Sequence, residues 1–112
     1  LDCRVFARAG AVGGIGGTYA AMPELYERIF TLVRSGDILP ARDIQDACCH
    51  IIYKICSGQG NMYAMIKEIL RLRGAPDIGG VRAPLYPLQP GDEAIAASCA
   101  ADIDAAIAKF CK

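Results

Sequence analysis

The residues from Gly10 to Tyr19 read Gly-Ala-Val-Gly-Gly-Ile-Gly-Gly-Thr-Tyr, and they constrain the fold more than any other part of this 112-residue chain. Val12 to Ile15 is short, apolar and without alternation, the pattern of a strand buried on both faces. The glycines around it predict a tight turn at its end. A lone strand cannot pair its own backbone N–H and C=O groups, so it needs neighbouring strands. The rest of the chain reads as helix and supplies almost none, which implies a piece of something larger. Leu1 is not a methionine, and a truncated or processed start is the matching expectation.

Residues 1–9 read as the end of a helix or a loop, and Thr18 to Met22 as a connecting loop. Pro23 opens a helix, because its missing N–H would have no partner in the first turn anyway. Leu25, Tyr26, Ile29, Phe30 and Val33 share one face of that helix, and Gly36 stops it. Asp37 is placed to cap a second helix with Pro40 in its first turn and Ile44, Ala47, Cys48, Ile51, Ile52 and Ile55 inward. Ser57-Gly58-Gln59-Gly60 ends it. Asn61 is placed to cap a third, with Met62, Met65, Ile66, Ile69 and Leu70 inward, ended by Gly74-Ala75-Pro76-Asp77. Residues 78–90 hold three prolines and predict an extended loop. A last helix starts near Asp92 and aligns Ile95, Cys99, Ile103, Ala106, Ile107 and Phe110.

Charge excludes several function classes. Twelve Lys and Arg balance twelve Asp and Glu, with no basic stripe for nucleic acid and no basic amphipathic face for a membrane surface. The nearly uncharged stretch from Ala9 to Met22 is shorter than the roughly 20 apolar residues of a spanning helix. Hydrophobic residues make up 54% of the chain, more than its own surface needs. The six cysteines show no CxxC pair and no Cys/His zinc spacing, and His50 is the single histidine. Reduced, mostly buried thiols in a cytoplasmic protein are the expectation, with no metal and no cofactor.

The glycine run matches neither GxGxxG nor GxxxxGK[ST], so it does not read as a phosphate cradle. Its glycines either let a ligand approach the backbone or pack the strand end tightly. Each tyrosine is a possible proton shuttle or a half-buried ring with its hydroxyl bonded. Tyr63 stands out, because it falls in the first turn of a helix beside Asn61 and suits a pocket wall. Lys54, Lys67, Lys109 and Lys112 all read as solvated, unlike a Schiff-base lysine, which must be desolvated to be neutral. Arg82 either binds a carboxylate or holds its loop to the last helix.

Gly13-Gly14-Ile15-Gly16-Gly17-Thr18-Tyr19 resembles the GxIGSTYN segment of N-acetylneuraminate lyases, within the dihydrodipicolinate synthase family of class I pyruvate aldolases. Further segments resemble the same family in order. These are Ser35 to Gln45, Tyr63 to Leu70, and Gly80-Val81-Arg82-Ala83-Pro84-Leu85-Tyr86-Pro87-Leu88, the last similar to an R-x-P-L-x-P motif. The resemblance implies an α/β fold, a (β/α)8 TIM barrel with a three-helix C-terminal extension, usually a homotetramer. This chain would hold the last strand and helix over 1–36 and the helical extension over 37–112, so the fragment itself would be mostly α-helical.

Members of that family hold a pyruvate moiety as a Schiff base on lysine, with a tyrosine relaying protons. No position here matches those groups, so the chain would contain no catalytic residue and be inactive alone. The resemblance implies a substrate-binding role for Ile15, Gly16, Gly17, Thr18 and Tyr63. Gly17 stands where the family motif has serine, and Ala20 where it has asparagine. A small 2-oxo acid or sugar acid is the implied ligand: N-acetylneuraminate, a dihydrodipicolinate precursor or another 2-oxo acid. The reading of another class is a non-catalytic helical interaction module, which predicts that the glycine run is a loop and the chain a stable, soluble monomer. The aldolase reading predicts exposed apolar surface and self-association.

Overall fold

The computed structural model describes residues 3–112, apart from the Phe6 side chain. The helices are α1 (Cys3–Arg8), α2 (Pro23–Ser35), α3 (Ile38–Ile55), α4 (Met62–Leu72) and α5 (Asp92–Phe110). The stretch read as a helix end or loop over residues 1–9 is thus largely α1, with Leu1 and Asp2 outside the described residues.

No described residue forms a strand, which corrects the expected strand at Val12–Ile15. The segment is irregular, and its two large side chains are not buried: Val12 is 94% and Ile15 100% exposed. The physical reason is the one that made the run informative. A strand exists only with a ladder partner, and the described residues offer none. The described chain is therefore α-helical, and the β part of an α/β barrel is not visible within it.

Helices α2 and α3 form the central pair, joined at Gly36 and Asp37. Gly36 takes the left-handed conformation, φ 89°. Its N–H bonds Val33 O at 3.1 Å, and the Asp37 N–H bonds Leu32 O at 2.8 Å. This is a Schellman ending, which satisfies two carbonyls the helix would otherwise leave open. Asp37 does not cap α3 with its side chain, contrary to expectation, because its carboxylate accepts from Ser35 Oγ at 2.9 Å instead.

The core is built from α2, α3, α4 and α5, with α1 laid on α2 and α3. Leu25, Ile29, Ile44, Cys48, Ile55, Met65, Ile69, Cys99 and Ile103 are essentially fully buried. Most residues assigned inward are in this core, while Phe30, Ile52, Met62, Leu70, Ile95, Ile107 and Phe110 pack at its margin. The helical stripe missed one polar member. Gln45 is 2% exposed, and its Oε1 accepts the Cys3 backbone N–H at 3.0 Å, fastening α1 to α3. Of the six thiols, Cys3, Cys48 and Cys99 are buried, and burial pushes the Cys48 thiol up to about 12.

Two polar clasps hold the later segments in register. The first is Asp92, only 1% exposed. Its carboxylate accepts three backbone N–H groups: Gln59 at 2.9 Å, Gly60 at 2.8 Å and Gln89 at 2.9 Å. It ties the α3–α4 turn to the start of α5. Gly60 has to be glycine for this approach, since a Cβ there would stand 2.7 Å from Pro87 O and 2.9 Å from the Asp92 carboxylate. The Asn61 N–H adds a bond to Tyr86 O at 3.0 Å. The second clasp is Arg73 at the end of α4. It donates to Ala21 O at 2.6 Å and pairs with Glu24 at 3.4 Å and Asp104 at 3.2 Å, joining α4 to α2 and α5.

The core and the glycine run should respond oppositely to truncation. Ile29→Ala, in the α2 core, should lower the stability of the chain by about 2–5 kcal/mol. Ile15→Ala should change it by less than about 0.5 kcal/mol, as for an exposed position. Urea denaturation of the two variants measures both, and a large loss from Ile15→Ala would contradict its exposure.

Asp92 adds a pH dependence. The N–H groups of Gln89, Gln59 and Gly60 hold its carboxyl below the usual aspartate range despite burial. The folded state then binds its proton less readily than the unfolded state. Its contribution is complete above about pH 4, the unfolded value, and is lost as pH falls through the lower folded value. Asp92→Asn should be less stable at neutral pH and should flatten this acid limb of the stability profile. An unchanged acid limb in the variant would assign that limb to other carboxylates.

Candidate functional site

The glycine run lies over the start of α2, and Tyr19 folds back beneath it. A Cβ at Gly14 would stand 2.7 Å from the Tyr19 hydroxyl, and one at Gly16 would stand 2.8 Å from Tyr19 Cε1. Neither glycine has a positive φ, so close approach of the ring, not backbone conformation, is what these positions require. The Tyr19 and Tyr26 rings meet with centroids 4.3 Å apart. The Tyr19 hydroxyl lies 3.0 Å from Cys3 Sγ, and the Tyr26 hydroxyl lies 2.7 Å from Thr18 Oγ1.

This arrangement fixes the protonation of both phenols. Burial and then the Cys3 thiol push Tyr19 up to about 12. Burial also raises Tyr26, partly opposed by its Thr18 hydrogen bond. Both are neutral phenols at physiological pH, each able to donate or accept in its hydrogen bond. Thr18 is 8% exposed, so its hydroxyl is spent on Tyr26 and not offered to a ligand. The Ile15 side chain projects fully into solvent.

Gly17 and Tyr63 are the predicted site residues that the fold brings into direct contact. A Cβ at Gly17 would lie 3.3 Å from Tyr63 Cε1, 3.4 Å from Met62 Cε and 3.6 Å from the Tyr63 hydroxyl. Two residues 46 positions apart in sequence therefore meet edge to backbone. Tyr63 reaches this place because Asn61 caps α4 as expected, its Oδ1 accepting the Tyr63 N–H at 2.9 Å. The Asp92 clasp holds the two residues just before Asn61. Asp92 was legible only as a helix start. Its burial and its three donors come from loops distant in sequence.

Tyr63 also opens a cleft of about 570 Å³ lined with Lys67, Val81, Arg82, Pro84 and Leu85. Lys67 Nζ donates to Gly80 O at 2.6 Å, holding the extended loop against α4. Arg82 stands exposed on the rim, and its side chain forms no hydrogen bond or ion pair among the described residues. The expected tether from Arg82 to the last helix is thus not made. Lys67 at Gly80, Asn61 at Tyr86 and Asp92 at Gln89 secure that loop instead. A second open cleft of about 500 Å³ lies between the glycine run and α2, lined by Val12, Gly14, Tyr19, Tyr26, Phe30 and Arg34.

The lysines stay wet, as their sequence setting suggested. Lys54 pairs with Asp102 at 2.6 Å and also meets Ser98, and Lys109 lies over the Phe110 ring, 4.9 Å from its centroid. None has the desolvated surroundings that a neutral amine nucleophile needs. No group of three or more His, Cys, Asp or Glu side chains among the described residues could hold a metal ion, and no described helix is long and apolar enough to cross a membrane.

Comparison with known proteins places this geometry. N-acetylneuraminate lyase of Mediterraneibacter gnavus is 48% identical over 101 residues, 90% of this chain and 32% of that protein. N-acetylneuraminate lyase 2 of Escherichia coli O6:H1 is 36% identical over 81 residues, 72% of this chain and 26% of that protein. Among solved structures, a catalytic lysine mutant of Ruminococcus gnavus sialic acid aldolase superposes with a TM-score of 0.93 at 45% identity, covering 97% of this chain and 36% of that one. The wild-type aldolase superposes with a TM-score of 0.90 at 46% identity, covering 97% and 37%. The chain thus spans about a third of the length of the M. gnavus lyase and of the two aldolase structures. The family model of the dihydrodipicolinate synthetase family matches residues 3–103, and the chain belongs to that family.

Proposed function

We infer that this chain is the C-terminal part of a pyruvate-dependent aldolase that cleaves a sialic acid to pyruvate and N-acetylmannosamine. The observation that carries this reading is the match to a sialic acid aldolase over 97% of the chain at a TM-score of 0.93. In such an enzyme a lysine amine attacks the 2-oxo carbon, water leaves, and the resulting iminium accepts the electron pair of the breaking carbon–carbon bond. The amine comes from outside this chain, because all four lysines here are solvated or paired. Residues 1–36 would belong to the last β/α unit and residues 37–112 to the helical extension.

The unpaired run Val12–Ile15 is the part of the chain that needs a neighbouring sheet. Its glycines, with Ile15, Gly16 and Gly17, would bring backbone to the edge of the substrate pocket, and Tyr63 would form a wall of it. Thr18 would serve that pocket indirectly, by fixing the turn through Tyr26. Val5, Val12, Ile15 and Leu39 are exposed apolar side chains that further barrel strands or partner subunits would cover. A homo-oligomeric, cytoplasmic enzyme fits this reading. A related 2-oxo-acid aldolase with a different second substrate is the alternative, favoured by glycine instead of serine at position 17.

Borohydride reduction of the intact protein with pyruvate is the direct test. A covalent adduct should form on a lysine outside this chain. An adduct on Lys54, Lys67, Lys109 or Lys112 would overturn the placement of the nucleophile, and no adduct at all would overturn the aldolase reading. Sedimentation of the isolated chain should show self-association, whereas a stable monomer would favour a helical interaction module.

A further inference from the structure

Asp92 does more than close the fold, because its carboxylate ends next to the residues that start α4. Its Oδ1 accepts the Gln59 N–H, and its Oδ2 accepts those of Gly60 and Gln89. Gly60 is followed by Asn61, which takes the Tyr63 N–H on its side-chain oxygen and gives its own N–H to Tyr86 O. The first turn of α4 has little else to fix it. Asn61 and Met62 are half-buried and Tyr63 is exposed, while full burial in α4 begins at Ala64. The backbone that carries Tyr63 therefore leans on a carboxylate from another helix.

Both oxygens are committed as acceptors, so the clasp needs a carboxylate and not just a polar side chain. An asparagine amide has one acceptor oxygen, and its NH2 group would face an N–H. The space around the carboxylate is also closed. A Cβ at Gly60 would stand 2.9 Å from Oδ2, and one at Gly58 would stand 3.2 Å from Oδ1.

We propose that Asp92 is a positioning residue for substrate binding, which holds the first turn of α4 so that Tyr63 stands at the pocket wall, and which acts on the ligand only through Tyr63. The proposal rests on the aldolase reading above. Asp92 is 1% exposed and so meets no ligand itself. Its effect falls on binding of the sugar acid, and not on iminium formation with pyruvate at an amine outside this chain.

The test is a double-mutant cycle in the intact protein, with N-acetylneuraminate cleavage kinetics and pyruvate–borohydride trapping measured on the variants. Asp92→Asn should raise KM about five- to tenfold with kcat changed little, the size of coupling found within one hydrogen-bond network. Gly60→Ala, which crowds the same carboxylate, should do the same. Both should still trap pyruvate, which also shows that they are folded. A merely structural role would lower kcat and trapping together and leave KM alone. Tyr63→Ala should itself raise KM, and in that background neither Asp92→Asn nor Gly60→Ala should raise it further. A further rise in that background, or an unchanged KM in Asp92→Asn with trapping intact, would overturn the positioning role while leaving the aldolase reading standing. Loss of trapping in Asp92→Asn moves the cycle to Gly60→Ala, and loss in both would overturn the role by making Asp92 a residue of the fold alone. Failure of trapping and cleavage in the unmutated protein would overturn both readings.

Discussion

The buried Asp92 carboxylate is the interaction on which the later half of the structure depends. Helices α3 and α4 are separated by a turn with two glycines, in which Ser57 Oγ bonds back to Lys54 O at 2.6 Å. Two of its N–H groups, those of Gln59 and Gly60, are taken by the Asp92 carboxylate from the first turn of α5. Three N–H groups satisfy that charge, so its burial costs far less than an unpaired carboxylate would. The arrangement sets where Asn61 begins α4, and hence where Tyr63 stands. A local capping residue thus acts as a long-range brace.

The same logic of backbone approach governs the glycine run. Tyr19 occupies the space beside Gly14 and Gly16, and Tyr63 the space beside Gly17. Two aromatic rings pack on the run, Tyr19 from its own end and Tyr63 from α4, and the Tyr19 N–H closes a turn onto Gly16 O at 3.2 Å. That gives a segment with no secondary structure a defined position against α2 and α4. Arg73 reinforces it by donating to Ala21 O, just beyond the end of the run. The candidate site is therefore assembled by packing against backbone, and the cleft beside Tyr63 adds the charged side chains of Lys67 and Arg82 to its peptide groups and phenol hydroxyl.

Helix boundaries were largely legible in the sequence, and for local reasons. Pro23 starts α2, Gly36 ends it in a left-handed conformation, and Asn61 caps α4 through its side chain. Apolar stripes on α2, α3 and α4 identified most of the core. The misreadings concern partners that a linear pattern cannot specify. Val12–Ile15 has strand composition but no ladder partner among the described residues. Asp37 had two possible acceptor roles, and Ser35 won over the helix N-terminus. Gln45 was not assigned to the apolar stripe, and its burial depends on the hydrogen bond from the Cys3 backbone.

By itself the sequence determined the helices, the family and the identity of the residues around the glycine run, because these depend on neighbours a few positions apart and on ordered motifs. Only the tertiary structure decided what the glycines are for. Side-chain absence has no partner in a sequence; it acquires meaning when a ring from elsewhere fills the space. The contact of Gly17 with Tyr63, the diversion of Thr18 to Tyr26 and the burial of Asp92 each join residues that no local periodicity relates. They are set by packing of whole helices, and they determine which polar groups remain free to meet a ligand.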